Sequence, residues 1–172
     1  MEGGCECGRI RYRLAGEPIF VNCCHCRQCQ KLSGSAFAMN AMVERDRVRV
    51  MAGADALEPA RGGDRCRECG TILWATHRFF GGDILFLRVG TLDEGERLSP
   101  GAHFFLRSKH PWVPVPDGVP SFETLPQEGD PPLFGPEAAA RLEAARGHHG
   151  VDPLVLADGE GRGDQPKDGG AA

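Results

Sequence analysis

Eight cysteines fall into three groups: Cys5-Glu6-Cys7, Cys23-Cys24-His25-Cys26-Arg27-Gln28-Cys29, and Cys66-Arg67-Glu68-Cys69-Gly70. The last has knuckle spacing. Two thiolates three residues apart grip one ion from a tight turn, and Gly70 lets the backbone bend so that its amides face the sulfurs. A knuckle supplies two of the four ligands that tetrahedral zinc requires. Cys5 and Cys7 are the candidates for the other two, because in an extended strand residues two apart project to one face. Cys5, Cys7, Cys66 and Cys69 therefore predict a closed structural site. It joins the N-terminus to a segment about sixty residues on, and closing so long a loop through a metal should stabilise the fold.

Cys24, Cys26 and Cys29 offer three thiolates from one short segment. Three protein ligands leave a fourth position open, as in catalytic zinc sites, and a thiol bound there loses its proton at neutral pH. Three thiolates around a divalent ion carry a net negative charge. Such a centre is a weak Lewis acid and a good holder of an exchangeable thiolate, so it favours thiol chemistry over water activation. The competing reading is a second closed structural site, completed by Cys23, His25 or a distant histidine, in a zinc-stabilised binding module without turnover. Cys23 should point to the opposite strand face from Cys24 and is read as a buried small hydrophobe. All-thiolate sites admit iron as well as zinc.

A substrate thiol needs further contacts. Arg27, Lys31 and Ser33 lie just beyond the triad and suit anionic groups. His103-Phe104-Phe105-Leu106-Arg107-Ser108-Lys109-His110-Pro111-Trp112 combines cations, aromatic rings and two histidines. Arg107, Lys109 and Trp112 are the binding candidates there, and His25, Ser33 and His103 are the candidate proton donors. Spacing supports no Ser-His-Asp set, no phosphate loop of the Walker type and no GxGxxG turn.

The elements that must position these groups read mainly as strands. Ile10, Tyr12 and Leu14 alternate with Arg9, Arg11 and Arg13, the period of a half-buried strand. Residues 18–24, 36–43, 47–51, 71–76, 83–89 and 103–106 are further strand candidates, punctuated by glycines. Many short strands at this spacing predict packed sheets rather than alternating strand-helix units. One helical turn is expected over Arg27 to Ser33, ending at Gly34.

The chain has 172 residues, 41% hydrophobic and 26% charged, with net charge −4. That suits one ordinary domain and argues against a protein that mainly holds nucleic-acid phosphates. No apolar run is long enough to span a bilayer, and the N-terminus lacks the features of a secretory signal. The expected setting is the cytoplasm, where thiols stay reduced and clustered cysteines bind metal. Composition shifts near residue 128. Residues 1–127 are expected to form the zinc-binding domain, and residues 128–172 an acidic tail rich in Gly and Pro, largely disordered. Within that tail a short helix is possible over 137–146, marginal by itself. His148-His149 read as a solvated pair.

The order of motifs resembles one family. Gly4-Cys5-x-Cys7-Gly8-x-Ile10-x-Tyr12, then Cys24-His25-Cys26-x-x-Cys29-x-Lys31-x-Ser33-Gly34-x-x-Phe37, then Cys66-x-x-Cys69-Gly70, is similar to the glutathione-dependent formaldehyde-activating enzymes, a family grouped with centromere protein V. Val89-Gly90-Thr91-Leu92-Asp93 and Ser108-Lys109-x-x-Trp112 look like its C-terminal portion. The resemblance implies a mostly β, tent-like fold of small antiparallel sheets around a four-cysteine zinc, with a short helix after the central cysteines. It implies two zinc ions, one structural on Cys5, Cys7, Cys66 and Cys69 and one catalytic on Cys24, Cys26 and Cys29. The implied activity joins glutathione to formaldehyde as S-hydroxymethylglutathione, a carbon–sulfur lyase reaction run in reverse. Fold-level likeness does not by itself fix the substrate.

Overall fold

Ile10, Tyr12 and Leu14 are all but fully buried, while Arg11 and Arg13 project outward. This alternation lets β2 (Arg11–Leu14) lie between β1 (Glu2–Gly4) and β5 (Val48–Ala52) in a three-stranded antiparallel sheet with one face on the core. The structure is a computed structural model that describes residues 1–77 and 80–146. The tail beyond Arg146, with His148 and His149, lies outside the described residues.

A seven-stranded sheet runs in the order β10-β3-β4-β9-β8-β7-β6. Its strands are β3 (Phe20–Cys24), β4 (Ala38–Glu44), β6 (Leu57–Ala60), β7 (Gly63–Cys66), β8 (Ile72–Thr76), β9 (Ile84–Arg88) and β10 (Ala102–Phe104). All pairings are antiparallel except β10 with β3. The fold is mostly β, as expected, with ten strands and two α-helices among the described residues. Pro59 is tolerated in β6 because that strand is the sheet edge and needs no further backbone donor on its open side. Among the described residues no helix is long and apolar enough to cross a membrane.

The core fills the space between the sheets. Tyr12, Leu14, Val21, Ala41, Val43, Trp74, Leu85 and Leu87 belong to one buried cluster. Tyr12 meets Trp74 edge-on at 5.6 Å and shares a 2.7 Å hydrogen bond with Thr91 Oγ1, so its polar end is satisfied where burial demands it. Each such aliphatic or aromatic side chain contributes roughly 1.5–3 kcal/mol by leaving water.

The other face of the large sheet has two occupants. Near one end lies α1 (Arg27–Ser33), capped by Cys26 and closed by Gly34 in the left-handed conformation. At the other end lies α2 (Pro136–Arg146). The short helix expected in a loose tail is docked. Phe134, Ala138, Leu142 and Ala145 recur at helical spacing and pack with Ile19, Met42, Ile84 and Phe86. Phe20 meets Phe134 edge-on at 5.3 Å. This small stripe gains burial from the sheet that eleven isolated residues lack.

Candidate metal centre

Two turns build the first cysteine cluster. After β1 the chain turns at Cys5 to Gly8, where the Gly8 N–H donates to the Cys5 carbonyl at 3.0 Å and the Ile10 N–H donates to Cys5 Sγ at 3.1 Å. Cys5 and Cys7 thus lie on a tight turn and not on a strand. Two residues apart, they converge because Gly8 adopts φ +76° and folds the chain back. After β7 the second turn repeats the device: Gly70 has φ +77°, and its N–H donates to the Cys66 carbonyl at 2.9 Å. The Sγ atoms of Cys5, Cys7, Cys66 and Cys69 all lie within 4.8 Å of one another. Cys5 and Cys7 sulfurs are 3.5 Å apart, and Cys7 and Cys66 sulfurs 3.9 Å. A regular tetrahedron with zinc–sulfur bonds of about 2.3 Å has edges of about 3.8 Å. The donor set and its spacing fit zinc.

The second cluster joins the end of β3 to α1. Cys24 is buried at the strand end, and Cys26 caps the helix, its sulfur accepting the Cys29 N–H at 3.3 Å. The sulfurs of Cys24, Cys26 and Cys29 lie within 4.8 Å of one another. Hydrogen bonds from Cys24 and Cys29 hold the Cys26 thiol far below its ordinary value, against the opposing effect of burial. A hydrogen bond with Cys24 favours the Cys29 thiolate, but the Cys26 sulfur and burial outweigh it and push Cys29 up to about 11. Arg88 acts in the same lowering sense as Cys24. Three sulfurs this close, one of them predisposed to ionise, fit a thiophilic cation.

The remaining candidates divide between two sides of β3 and α1. At about 100° per residue, Cys26, Cys29 and Ser33 share one side of α1, and Arg27, Lys31 and Gly34 the other. Ser33 Oγ donates to the Cys29 carbonyl at 2.8 Å and the Phe37 carbonyl at 3.2 Å, which ties off the helix. Arg27, Gln30, Lys31, Phe37, His110 and Trp112 line a shallow depression of about 790 Å³. Trp112 is 73% exposed, stacked on His110 at 5.4 Å. Lys109 Nζ donates to the Val113 and His110 carbonyls, so it shapes this loop. Arg107 lies on the short turn Leu106–Ser108 leading into it.

His25 and His103 form a buried pair, His25 Nε2 facing His103 Nδ1 at 2.9 Å. The parallel register sets His103 beside Cys23, and His25 follows Cys24 directly. Burial pushes His25 down to about 4, with the charges of His103 and Lys109 adding to the effect. Burial, then Lys109, lowers His103 as well. Gln30 Nε2 donates to the His25 carbonyl at 2.7 Å and the Ser108 carbonyl at 2.8 Å, clamping α1 to this wall. Cys23 is buried on the core side of β3, and its thiol is pushed up to about 11 by burial.

A polar row escaped the sequence reading. In register across the sheet lie Asn22 on β3, Asn40 on β4 and Arg88 on β9. Arg88 Nη1 donates to Asn40 Oδ1, and Asn40 Nδ2 donates to Asn22 Oδ1 at 3.4 Å. Both asparagines are buried. Asn22 and Cys24 are two apart on one strand, so the row begins beside the three-sulfur cluster on the same sheet face. No spacing rule links residues 22, 40 and 88. Only strand register brings them together.

Fold and site together define a mostly β protein with two cysteine clusters able to hold metal ions. Residues 1–108 match the glutathione-dependent formaldehyde-activating enzyme family, and the chain belongs to it. It is also similar to the crystal structure of a Rhodobacter sphaeroides protein, with 23% identity, a TM-score of 0.46, and coverage of 58% of this chain and 92% of that one.

Proposed function

We propose that this protein joins a thiol to an aldehyde, glutathione and formaldehyde in the first instance, to give an S-hydroxymethyl thioether, and catalyses the reverse carbon–sulfur lyase reaction. The observation that carries this reading is the contrast between the clusters: four sulfurs from two turns in one, three sulfurs from β3 and α1 in the other. Cys5, Cys7, Cys66 and Cys69 would hold a structural zinc, and Cys24, Cys26 and Cys29 a second. Zinc held there by Cys24, Cys26 and Cys29 would supply a site that favours the deprotonated form of an incoming thiol.

In the forward direction a thiolate sulfur attacks the carbonyl carbon, a carbon–sulfur bond forms, and the carbonyl electron pair moves to oxygen, which takes a proton. The same atoms run backwards in cleavage. The chain's part is to bring the two reactants within about 3–3.5 Å and to manage that proton. We assign the proton to the His25–His103 pair, whose rings are joined nitrogen to nitrogen and each keep one buried nitrogen that meets no hydrogen-bond partner among the described residues. Ser33 remains a proton-donor candidate on the Cys29 side of α1. Arg27, Lys31 and Trp112, with the loop that Arg107 and Lys109 carry, offer cations and a ring to the body of the thiol. The cytoplasm is the setting this reading calls for, since glutathione is kept reduced there.

The test is cobalt substitution of the full chain. Adding glutathione without aldehyde should shift the visible cobalt bands, and Cys26→Ala should remove the shift. An unchanged spectrum on adding thiol would overturn the reading.

A further inference from the structure

Arg88 is out of place for a structural residue. Arg9, Arg11, Arg13 and Arg65, all exposed or nearly so, each face a carboxylate. Arg88 is half-buried, and among the described residues its guanidinium makes one hydrogen bond, to Asn40, and no ion pair. A guanidinium has five N–H donors, and among the described residues Asn40 takes one of them, the rest being open to solvent or a ligand. Burying Asn22 and Asn40 beneath it costs free energy that apolar side chains would not.

The register shows where the fork lies. Bonding to Asn40 draws Arg88 across from β9 toward β4, one strand spacing of about 4.8 Å from β3. Along β4 the neighbour of Asn40 on this face is Ala38, which pairs with Cys24. A methyl group is all that Ala38 places beside the three-sulfur cluster. On the opposite side of the row, Met42 and Glu44 are taken up by α2. The fork thus lies on the sheet face that carries Cys24, in the row between Ala38 and Met42.

We propose that Arg88, positioned by Asn40 and Asn22, binds a carboxylate of the thiol substrate and selects acidic thiols such as glutathione over neutral ones. This rests on the functional reading above and deepens it. The fork matches a carboxylate in a bidentate manner, which a lysine would not. Asn40 fixes the fork before the ligand arrives, so less rotamer freedom is lost on binding.

The test uses the zinc-loaded full chain with formaldehyde and either glutathione or 2-mercaptoethanol, which has no carboxylate. Arg88→Gln should lower the ratio of kcat/KM for glutathione over that for 2-mercaptoethanol by about tenfold to a hundredfold, the usual range for lost charge-assisted hydrogen bonds. Arg88→Lys should recover only part of it, and Asn40→Leu should move the ratio the same way. An equal loss with both thiols would overturn the proposal, since Arg88 would then merely offset the charge of the cluster. Calorimetry of glutathione binding without aldehyde, with metal content checked, decides the point independently of turnover. If the wild type shows no rate above the spontaneous one, the enzyme reading fails, and a tenfold weaker glutathione affinity in Arg88→Gln would still support the site. Equal affinity would sink it.

Discussion

Arg141 on α2 grips both carboxylate oxygens of Glu44 on β4, Nε to Oε1 at 2.8 Å and Nη2 to Oε2 at 2.7 Å. Arg141 Nη2 also donates to the Glu17 carbonyl at 3.0 Å. The pair is mostly shielded from water, and it fixes the C-terminal helix to the sheet face that carries the thiolates at its other end. Burial acts to raise the Glu44 carboxyl, but the Arg141 hydrogen bonds, a bond to its own backbone and the charges of Arg141 and Arg47 hold it below the ordinary carboxylate value.

Helix docking should therefore depend on pH in one direction. A carboxylate whose folded pKa is depressed contributes fully above its ordinary value, and that contribution disappears as pH falls through the lowered folded value. Limited proteolysis between residues 126 and 135 should be slow at neutral pH and accelerate below the ordinary carboxylate range. Arg141→Ala should lose about 1–3 kcal/mol of docking and flatten this acid dependence. Equal acid sensitivity in wild type and variant would show that another group controls it.

Leu142 is the apolar anchor of the same helix, 5% exposed among Ile19, Met42 and Ile84. Leu142→Ala should cost about 2–4 kcal/mol, the range for emptying a buried leucine site. Denaturant titration followed by cleavage in the segment before α2 should show local release ahead of global unfolding.

The two cysteine clusters should respond differently to loss of one ligand. Cys69→Ala breaks a site that ties the turn after β1 to the turn after β7, and should leave the chain unfolded by circular dichroism, as should strong chelation. Gly70→Ala, which forces a side chain into φ +77°, should weaken the same turn by about 1–2 kcal/mol. Cys26→Ala should keep the fold, retain one metal ion per chain instead of two, and lose turnover. Full turnover in Cys26→Ala would remove that cluster from the reaction.

Trp112 tests the depression beside α1. At 73% exposure it buries too little to matter for stability, so Trp112→Ala should change unfolding by less than about 0.5 kcal/mol. If the ring holds the body of glutathione, its loss should raise KM severalfold with little change in kcat. A changed kcat at constant KM would place Trp112 with the chemistry instead of the binding.

Both cysteine groupings were legible in the sequence, because each short run of cysteines offers ligands a few residues apart on a turn or helix end, and the two-cysteine runs each supply half of a four-ligand set. Spacing between Cys66 and Cys69, or Cys26 and Cys29, is a local property of the chain. The alternation at Ile10, Tyr12 and Leu14 was legible for the same reason, since a strand's period is written into neighbouring residues. The β1, β6 and β7 strands were not, because Gly3, Gly4, Pro59 and Gly63 carry no strand preference and pair only where the sheet offers an edge. Nor was the turn that carries Cys5 and Cys7, which takes its form from Gly8. The tertiary structure alone aligned Asn22, Asn40 and Arg88, set His25 against His103, and docked Arg141 on Glu44. Each of these depends on strand register or helix packing between distant segments, where a shift of one residue would turn the side chain to the opposite face.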